Sequence, residues 1–308
     1  MKQPPTLLDL IADGARRLSG ARVCIGHLHD NALDEARSLV LHALDLPNDW
    51  PAHLARARLL PEEVRQVQQL FDLRVEQRIP AAYLIGRAEF AGLSMKTDHR
   101  ALVPRSPIAE LILGSFQSLP RPVQIDHALD LCTGGGSIAL ALAAHHPHWR
   151  VDAADLSPDA LALAAENCAL LGLEGQVSLL QSDLFDAIPA RRYDLIVSNP
   201  PYLTMDEYQA LPAEYAHEPE MALPSGADGL DITFRILDQA PEFLTDDGLL
   251  VVEIGEAERT LRGLVPDPEL RWISFSVGAM GVFAITRADL LTLKARYRGL
   301  FEKRARRR

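Results

Sequence analysis

The tetrapeptide Asn199-Pro200-Pro201-Tyr202 combines residue types and spacing that suit a specific chemistry. Each proline fixes its φ at about −65°, and Pro200 biases Asn199 towards an extended backbone, so the turn is rigid. The Asn199 side-chain oxygen and the Pro200 carbonyl can together accept both hydrogens of a planar NH₂ group. Tyr202 can stack on the flat amide or base that carries this nitrogen. Rigidity alone would require neither the asparagine nor the tyrosine.

A glycine-rich turn at residues 130–139, DLCTGGGSIA, is the second segment whose residue types and spacing suit a specific chemistry. Gly134, Gly136 and Ala139 satisfy G-x-G-x-x-G/A where a strand passes into a helix. Asp155 follows Gly136 by 19 residues, at the position where an acidic side chain binds ribose hydroxyls. The pattern predicts a nucleoside-bearing cofactor, held by Cys132, Thr133, Gly134, Gly135, Gly136 and Asp155.

The charges around this turn indicate which cofactor it holds. A dinucleotide would place its pyrophosphate at the helix N-terminus, where Asp130 would repel it. Asp130 suits a cofactor with cationic groups, such as the ammonium and sulfonium of S-adenosyl-L-methionine, and its alternative role is to accept hydrogen bonds from amides of the turn. Asp183 is expected to bind the adenine amino group, with Leu184 packing on the ring, unless Asp183 only caps a helix.

Together the two patterns predict methyl transfer to a planar nitrogen. Acceptors that hold both hydrogens turn the nitrogen lone pair towards the methyl group and stabilise the positive charge that develops on nitrogen. A strong general base is not required, because the sulfonium is a reactive electrophile and the proton can leave afterwards. We expect Asn199, Pro200 and Tyr202 to be catalytic, Asn199 also to contact the cofactor, and Asn199, Pro200, Pro201 and Tyr202 to bind the substrate. No metal site is predicted.

Seven strand-like runs follow one another from residue 127 onwards. The first five are near-continuous apolar runs separated by long connections, as in a parallel sheet covered on both faces, and the last two are expected to pair antiparallel. The predicted fold is therefore α/β, a doubly wound, seven-stranded, mainly parallel Rossmann-like sheet with a small helical N-terminal domain. The seven runs are HALDLC, RVDAAD, VSLLQ, YDLIVS, LLVVEI, WISFSV and VFAITR.

The pattern divides the chain into four parts. Residues 1–90 have a helical rhythm of apolar positions, and residues 91–107 are expected to continue a hairpin or connector around Ala91-Gly92. Residues 108–288 hold the sheet and begin with a helix predicted from Ile108 to Leu119. Residues 289–308 are expected to form a C-terminal helix, docked by an apolar stripe, and a basic tail.

The composition excludes several classes of protein. With 48% hydrophobic and 24% charged residues, the 308-residue chain can bury a full core. No apolar run approaches the roughly 18 residues of a membrane span, and the N-terminus lacks the features of a signal peptide, so we expect a soluble, cytoplasmic protein. Three cysteines without close spacing exclude a disulfide scaffold and a cysteine-based zinc site.

The charge is distributed unevenly. The formal net charge is −11, and the last six residues, KRARRR, carry five positive charges, so the remainder of the chain stands at −16. A body this acidic repels a phosphate backbone and attracts a basic partner. DNA is therefore not expected as a substrate.

At this point the sequence resembles the N5-glutamine protein methyltransferases that use S-adenosylmethionine and have the class I methyltransferase fold. The resemblance covers roughly residues 30–290 and includes the helical N-terminal domain, the glycine turn and the Asn199–Tyr202 turn. Adenine and cytosine amino-methyltransferases share the last of these. The stretches YLIGRAEFAGL (83–93) and EYAHEPEMALPSGADGL (214–230) make the resemblance more specific.

Two positions favour one branch of this family. Cys132 and the segment 103–108, VPRSPI, resemble the branch that acts on large ribosomal subunit protein three rather than the release-factor branch. The loop reads Gly-Gly-Gly-Ser where the ribosomal branch often has Gly-Ser-Gly-Cys. The resemblance implies methylation of a glutamine amide in that basic ribosomal protein, recognised mainly by the helical N-terminal domain.

Three alternatives stay open. The same reaction on release factors is one, a nucleic-acid amino-methyltransferase is another, and a non-catalytic assembly factor is the third. Arg105 and Glu218 are weaker candidates near the site, because an ion pair that stabilises the fold would explain both. The basic tail is either a solvated end or a contact with ribosomal RNA through Lys303, Arg304, Arg306, Arg307 and Arg308.

Overall fold

The computed structural model describes residues 3–117, 119, 124–276 and 278–305. In these ranges a helical N-terminal part precedes a two-stranded hairpin and a seven-stranded mixed sheet surrounded by helices. The fold class expected from the sequence is confirmed. Arg306, Arg307 and Arg308 of the tail lie outside the described residues.

Along the chain, helices precede the hairpin, one helix separates the hairpin from the large sheet, and the others lie between and after the strands of that sheet. No helix in the described ranges combines the length and the apolar character that crossing a bilayer requires. The helices are α1 (Leu7–Ala21), α2 (Ala32–Ala43), α3 (Pro61–Glu76), α4 (Ala81–Ile85), α5 (Ile108–Leu113), α6 (Ser137–His145), α7 (Pro158–Leu171), α8 (Met205–Gln209), α9 (Asp231–Phe243), α10 (Glu258–Leu264), α11 (Arg287–Arg296) and α12 (Arg298–Ala305), with 3-10 turns at Ala52–Arg56, Ala213–His217, Glu220–Ala222 and Gly255–Ala257.

The strands form two sheets. The antiparallel hairpin turns at Ala91-Gly92, as predicted, and the large sheet has the order β5-β4-β3-β6-β7-β9-β8. The strands are β1 (Arg87–Phe90), β2 (Leu93–Lys96), β3 (His127–Leu131), β4 (Arg150–Asp155), β5 (Val177–Gln181), β6 (Tyr193–Ser198), β7 (Leu244–Glu253), β8 (Arg271–Trp272) and β9 (Val282–Thr286).

The direction of the strands decides where a ligand can bind. Strands β3 to β7 are mutually parallel, while β9 is antiparallel to both β7 and β8, which confirms the predicted pairing. The chain runs outwards in one direction from β3 through β4 to β5, and in the other direction from β6 to β7. The order of the strands therefore reverses between β3 and β6. Doubly wound sheets bind their ligands at the carboxyl edge beside this reversal.

Both faces of the sheet are buried. On one face α5 and α6 contribute side chains such as Ile112 and Leu140, and on the other α9 and α11 contribute Phe234 and Leu290. The α7 helix begins where Ser157 accepts a hydrogen bond from the Ala160 amide and ends at Gly172, as the sequence indicated. Because apolar strands need cover on both sides, these helices hold the carboxyl ends of the strands in fixed positions.

The helical N-terminal part has its own apolar core. Thr6 and Asn31 cap α1 and α2 through their side chains, and Pro61 occupies the first position of α3, where its missing N–H is tolerated. Leu18, Leu39 and other apolar side chains from these helices form one buried cluster. The helical character predicted for this region is confirmed.

Three elements differ from the sequence prediction: two are shorter and one is divided. The helix expected from Ile108 to Leu119 ends at Leu113, because Gly114 follows and Ser115 and Phe116 adopt left-handed backbone conformations. Of the described residues of the run WISFSV, 272–276, only Trp272 belongs to the β8 ladder, and Val277 lies outside the described residues. The expected C-terminal helix is two helices, α11 and α12, divided at Tyr297.

The basic tail is not a purely solvated end. The Arg304 side chain is only 8% exposed, forms ion pairs with Asp228 and Asp231, and lies over the Phe234 ring. A guanidinium held by two carboxylates is not available to a phosphate, so Arg304 fits neither a solvated end nor the alternative of an RNA contact. The sequence pattern missed this pairing because the partners lie more than seventy residues upstream in the chain.

Candidate active site

A cavity of about 300 Å³ opens at the carboxyl edge of β3 to β7. Its walls come from the turn after β3, the end of β4, the loops after β5 and β6, the end of β7 and the 100–106 segment. Most of the residues predicted from the sequence are brought together in this lining. They are Cys132, Thr133, Gly134, Gly135, Asp155, Asp183, Leu184, Asn199, Pro200, Pro201 and Tyr202.

The glycine turn allows α6 and α7 to approach each other closely. Gly136 does not line the cavity, but it has a φ of +87°. A Cβ at Gly136 would lie 3.1 Å from side-chain atoms of both Ala164 and Leu140. Gly136 is therefore needed for the backbone conformation and the close packing rather than for direct contact with a ligand.

Asp155 closes the turn from the neighbouring strand. Its Oδ2 accepts a hydrogen bond of 2.8 Å from the Gly134 amide and its Oδ1 accepts one of 2.8 Å from the Ser157 amide. Burial raises the pKa of the carboxyl, while these amides lower it. Because each carboxylate oxygen has two lone pairs, Asp155 can still accept from a ribose hydroxyl.

Asp183 and Leu184 follow β5 and line the next part of the cavity. Residues 183–187 form turns and not a helix, so the alternative of a helix cap does not apply to Asp183. Asp183 instead forms an ion pair with Arg235 on α9, in which Arg235 Nη2 lies 2.8 Å from Asp183 Oδ1. Leu184 has a φ of +52° and is buried, so the chain bends sharply at the place where an adenine ring is expected.

Asp130 does not line the cavity, which corrects the expectation that it faces a cofactor cation. Its carboxyl is fully buried, and Oδ2 accepts hydrogen bonds from Thr133 Oγ1 at 2.5 Å and the Ala139 amide at 3.0 Å. Oδ1 has no partner among the described residues. Burial raises the pKa of Asp130 to about 7, and the two donors oppose this shift. Asp130 therefore holds the turn, as the alternative interpretation proposed.

Asp130→Asn is expected to stabilise the protein without cofactor at pH 8, by about 2–4 kcal/mol in the free energy of unfolding. The pKa of Asp130 is higher in the folded than in the unfolded chain, so the folded state binds more protons and loses stability as pH rises from about 4 to 7. Denaturant titrations at several pH values measure this difference. Asp126→Asn, at an exposed position, is the control. A pH-independent difference would contradict the assignment.

The cations of the lining are already engaged by carboxylates. Arg100 pairs with Asp98 and Glu166, and Arg105 pairs with Glu218. Among the lining residues no arginine or lysine is left for a phosphate, whereas two carboxylates border the cavity there, Asp155 and the Arg235-paired Asp183. The charges of the lining therefore fit an uncharged nucleoside joined to a cationic group, as in S-adenosylmethionine, and do not fit a pyrophosphate.

The Asn199–Tyr202 turn follows β6 and is fixed by backbone hydrogen bonds. The amides of Tyr202 and Leu203 both donate to the Leu223 carbonyl, at 3.1 and 2.9 Å. Asn199 is half-buried, Pro200 is buried, and both line the cavity. Burial raises the pKa of the Tyr202 hydroxyl, which therefore remains protonated at neutral pH. The two predicted acceptor oxygens thus belong to a rigid segment at the cavity wall.

Two glycines leave room for Tyr202, and the sequence did not reveal them. A Cβ at Gly229 would lie 2.2 Å from the Tyr202 carbonyl oxygen, and one at Gly255 would lie 2.7 Å from its ring. Both glycines have positive φ values, 73° and 48°. Since both belong to loops remote in sequence from Tyr202, only the structure shows that they set the position of the ring.

Gly255→Ala is expected to lower kcat/KM for methyl transfer at least tenfold, because the new Cβ displaces the Tyr202 ring. Affinity for the cofactor, measured by calorimetry, should change less than threefold. Gly172→Ala is the matched control, since it introduces the same left-handed strain where no atom lies within 4 Å of the new Cβ. Equal losses of kcat/KM in the two variants would show that backbone strain alone is responsible.

The 213–218 segment borders the cavity and is held by contacts with the 103–105 segment. Glu218 is buried and accepts two hydrogen bonds from Arg105, at 2.7 and 3.0 Å, and one from the Val103 amide. Arg105 also lies over the ring of Tyr215, which lines the cavity. Arg105 and Glu218 thus form the ion pair that the sequence left as an alternative.

Comparison with known proteins identifies the family. The model of the methyltransferase small domain matches residues 109–215. The ribosomal protein uL3 glutamine methyltransferase of Xanthomonas campestris pv. campestris is 53% identical over 291 residues, which cover 94% of this chain and 94% of that protein. The protein of the same name from Xylella fastidiosa is 51% identical, over 97% of this chain and 96% of that protein.

Solved structures support the fold. The catalytic domain of hMettl16, in complex with MAT2A 3'UTR hairpin 1, matches with a TM-score of 0.52 and 16% identity, covering 82% of this chain and 92% of that one. At this identity the likeness concerns the fold alone.

The names of the relatives distinguish between the ribosomal-protein branch and the release-factor branch of the family. Proteins from Xanthomonas, Xylella and Bordetella that carry the uL3 name match over 93–97% of this chain. Both the resemblance and the ribosomal branch predicted from Cys132 and the 103–108 segment are confirmed. The chain belongs to the family of ribosomal protein uL3 glutamine methyltransferases.

Proposed function

We propose that this chain transfers a methyl group from S-adenosylmethionine to the side-chain amide nitrogen of a glutamine in ribosomal protein uL3. The observation that carries the proposal is the position of Asn199 and Pro200, which line one cavity together with the glycine turn. The 51–53% identity to uL3 glutamine methyltransferases supports the choice of substrate. A ribosomal-protein substrate also favours a cytoplasmic site of action.

The cofactor is proposed to lie along the β3–β5 side of the cavity. Asp155 would accept from the ribose hydroxyls, Asp183 from the adenine amino group, and Leu184 would pack on the base. The turn residues Cys132 to Gly135 would border the rest of the molecule. When bound, S-adenosylmethionine supplies a methyl group on a positively charged sulfur, which is a strong electrophile.

The acceptor glutamine is proposed to lie on the β6–β7 side. Asn199 Oδ1 and the Pro200 carbonyl each accept one hydrogen of the glutamine NH₂ group. Tyr202 packs against the flat amide. Because these acceptors belong to a rigid turn, they need no reorganisation as positive charge develops on nitrogen, and this preorganisation lowers the barrier.

The uL3 protein is proposed to be recognised by the helical N-terminal domain, residues 1–90. In the proposed division of the chain, residues 91–107 form the connector, 108–288 the methyltransferase domain and 289–308 the C-terminal segment. Apart from its last six residues the chain carries a formal charge of −16, which favours a basic protein. Association should therefore weaken as salt increases. Salt-independent methylation of isolated uL3 would contradict this electrostatic contribution.

The test is transfer of labelled methyl from S-adenosylmethionine in parallel reactions with purified uL3 and with a peptide-chain release factor. Mass mapping of the labelled protein then locates the modified residue. We expect label on a glutamine of uL3 and none on the release factor. Label on the release factor alone would contradict the substrate, and binding of cofactor without any transfer would support a non-catalytic assembly factor.

A ribosomal RNA contact of the tail is proposed only for Lys303 and Arg306 to Arg308. Lys303 is exposed, whereas Arg304 is held by Asp228 and Asp231. Truncation after Ala305 removes three arginines and keeps Arg304. Slower methylation of pre-ribosomal particles, with unchanged methylation of free uL3, is the expected result. Unchanged rates on both substrates would exclude the contact for the removed residues.

A further inference from the structure

Glu253 lines the cavity but has no role in the two sequence patterns or in the chemistry proposed above. It is the last residue of β7, directly after Val252, which pairs in the parallel ladder with Ser198 of β6. Asn199 directly follows Ser198. The ends of two adjacent parallel strands therefore place Glu253 beside Asn199 at the carboxyl edge.

The strand order separates Glu253 from the other carboxylates of the cavity. Asp155 ends β4 and Asp183 follows β5, both on the side of β3 remote from β6. Glu253 ends β7, on the side of the Asn199–Tyr202 turn. Among the described lining residues it is the one carboxylate on the side where the acceptor nitrogen is proposed to lie.

The carboxyl of Glu253 is held by a single side-chain hydrogen bond. Only 6% of Glu253 is exposed, and Ser106 Oγ donates to its Oε2 at 2.5 Å. Ser106 in turn accepts from the Ile108 amide at 3.2 Å. No described residue donates to Oε1, which leaves this oxygen with hydrogen-bonding capacity next to the cavity.

The surroundings of Glu253 allow it to change charge near neutral pH. Burial raises its pKa to about 7, against the Ser106 hydrogen bond and the Arg105 guanidinium, which lower it. The Glu253 charge in turn raises the pKa of Tyr202. Arg105 is itself bound to Glu218. A carboxyl of this pKa is a far better proton acceptor than an ordinary glutamate.

The proposed reaction leaves a proton to be removed. The acceptor nitrogen forms a bond to the methyl carbon, the carbon–sulfur bond breaks with its electron pair remaining on sulfur, and the nitrogen loses one of its two hydrogens as a proton while the new bond forms. Asn199 and Pro200 accept hydrogen bonds through neutral amide oxygens, which are weak bases. The half-buried Tyr202 and Tyr215 have hydroxyls with raised pKa values, which remain protonated.

We propose that the Glu253 carboxylate takes this proton from the amide nitrogen as the bond to the methyl carbon forms, and that Ser106 positions Glu253. The proposal rests on the proposed function. Glu253 becomes a neutral carboxylic acid in this step and returns to the carboxylate when the proton passes to solvent after product release. The methylated amide is left neutral and the atoms and charges balance.

The test compares single-turnover rates of wild type and Glu253→Gln on uL3 between pH 5.5 and 9. The glutamine retains an acceptor for Ser106 but removes the base. We expect the wild-type rate to rise with pH through about 7, and Glu253→Gln to be about 100-fold slower at pH 8 and to lack this rise. Glu174→Gln, at an exposed position, is the matched control. Calorimetric affinity for S-adenosylmethionine should stay within twofold in both variants.

Two further variants separate a base from a structural residue. Glu253→Asp retains a carboxylate and should recover at least part of the rate and the pH dependence. Ser106→Ala removes a donor that favours the carboxylate, so the rise in rate should move to higher pH. The ¹³C shift of the Glu253 carboxyl, followed without substrate, should titrate near 7 in wild type and higher in Ser106→Ala.

Two outcomes would overturn the proposal, and they are distinguishable. If Glu253→Gln stays within threefold of wild type and retains the rise with pH, Glu253 is not the proton acceptor, whereas the methyl transfer itself stands. If wild type places no label on uL3, the proposed function fails and the role of Glu253 fails with it.

Discussion

Asn199→Ala is expected to lower the rate of methyl transfer to uL3 by about 100- to 1000-fold, which corresponds to roughly 3–4 kcal/mol of transition-state stabilisation. The variant loses one of the two oxygens that hold the acceptor NH₂ group, so its lone pair is no longer oriented towards the methyl group. The Pro200 carbonyl remains, and with it a residual rate. Single-turnover transfer from labelled cofactor measures the change.

Cofactor affinity distinguishes this effect from damage to the cavity. The Asp155 carboxylate and the glycine turn are untouched by Asn199→Ala, so the Kd of S-adenosylmethionine should change less than threefold. Asp155→Ala should instead weaken the binding of S-adenosylmethionine, because it removes the carboxylate that closes the turn through the Gly134 amide. Asn48→Ala, at an exposed position, is the matched control. Near-normal turnover in Asn199→Ala would contradict the proposed role.

The strands and the main turns were predictable because their signals are local. Apolar runs such as YDLIVS must be buried on both faces, and prolines or glycines at their ends mark where the chain turns. Once the strands are known to be parallel, residues after their carboxyl ends must share one edge. Asn199, Asp155 and Asp183 therefore came together in one cavity as expected.

The parts of the site that were missed depend on contacts between distant segments. Asp130 belongs to a well-recognised turn, yet its sequence position does not reveal that its carboxyl is turned into the protein towards Thr133. The space that Gly255 leaves for Tyr202 arises from two loops that meet only in the folded chain. The sequence left Arg304 either solvated or in contact with RNA, because its partners Asp228 and Asp231 are remote in sequence.

A buried charge cluster shows the same limit and links the helical N-terminal part to the cavity wall. Arg74 is fully buried on α3, where its Nε donates to Glu35 Oε1 at 2.8 Å and its Nη1 to Glu214 Oε1 at 3.0 Å. Glu214 also accepts from the Cys24 amide. It lies next to Tyr215, which lines the cavity. The apolar rhythm of α3 gave no sign that one arginine is buried with two carboxylates.

Arg74→Met is expected to lower the free energy of unfolding by about 3–5 kcal/mol at pH 7.5. Removing the arginine leaves the buried carboxylate of Glu35 without its cation and leaves Glu214 only the longer ion pair with Arg78, at 3.5 Å. Burial already raises the pKa of Glu35 and Arg74 opposes this, so without Arg74 both carboxyls should take up protons more readily. The loss of stability should therefore diminish as pH falls towards 5, which denaturant titrations over this pH range would measure.

Two comparisons separate the charge effect from lost packing. Arg16→Met removes an arginine from an exposed pair with Asp13 and should change stability little. Glu35→Gln and Glu214→Gln, added to Arg74→Met, replace the two carboxylates by neutral amides and should recover most of the lost stability. If the triple variant is no more stable than Arg74→Met, the arginine contributes through its packing and its bond to the Cys24 carbonyl rather than through its charge. Recovery of stability together with an unchanged KM for uL3 would further show that this cluster supports the fold without setting the position of the cavity wall.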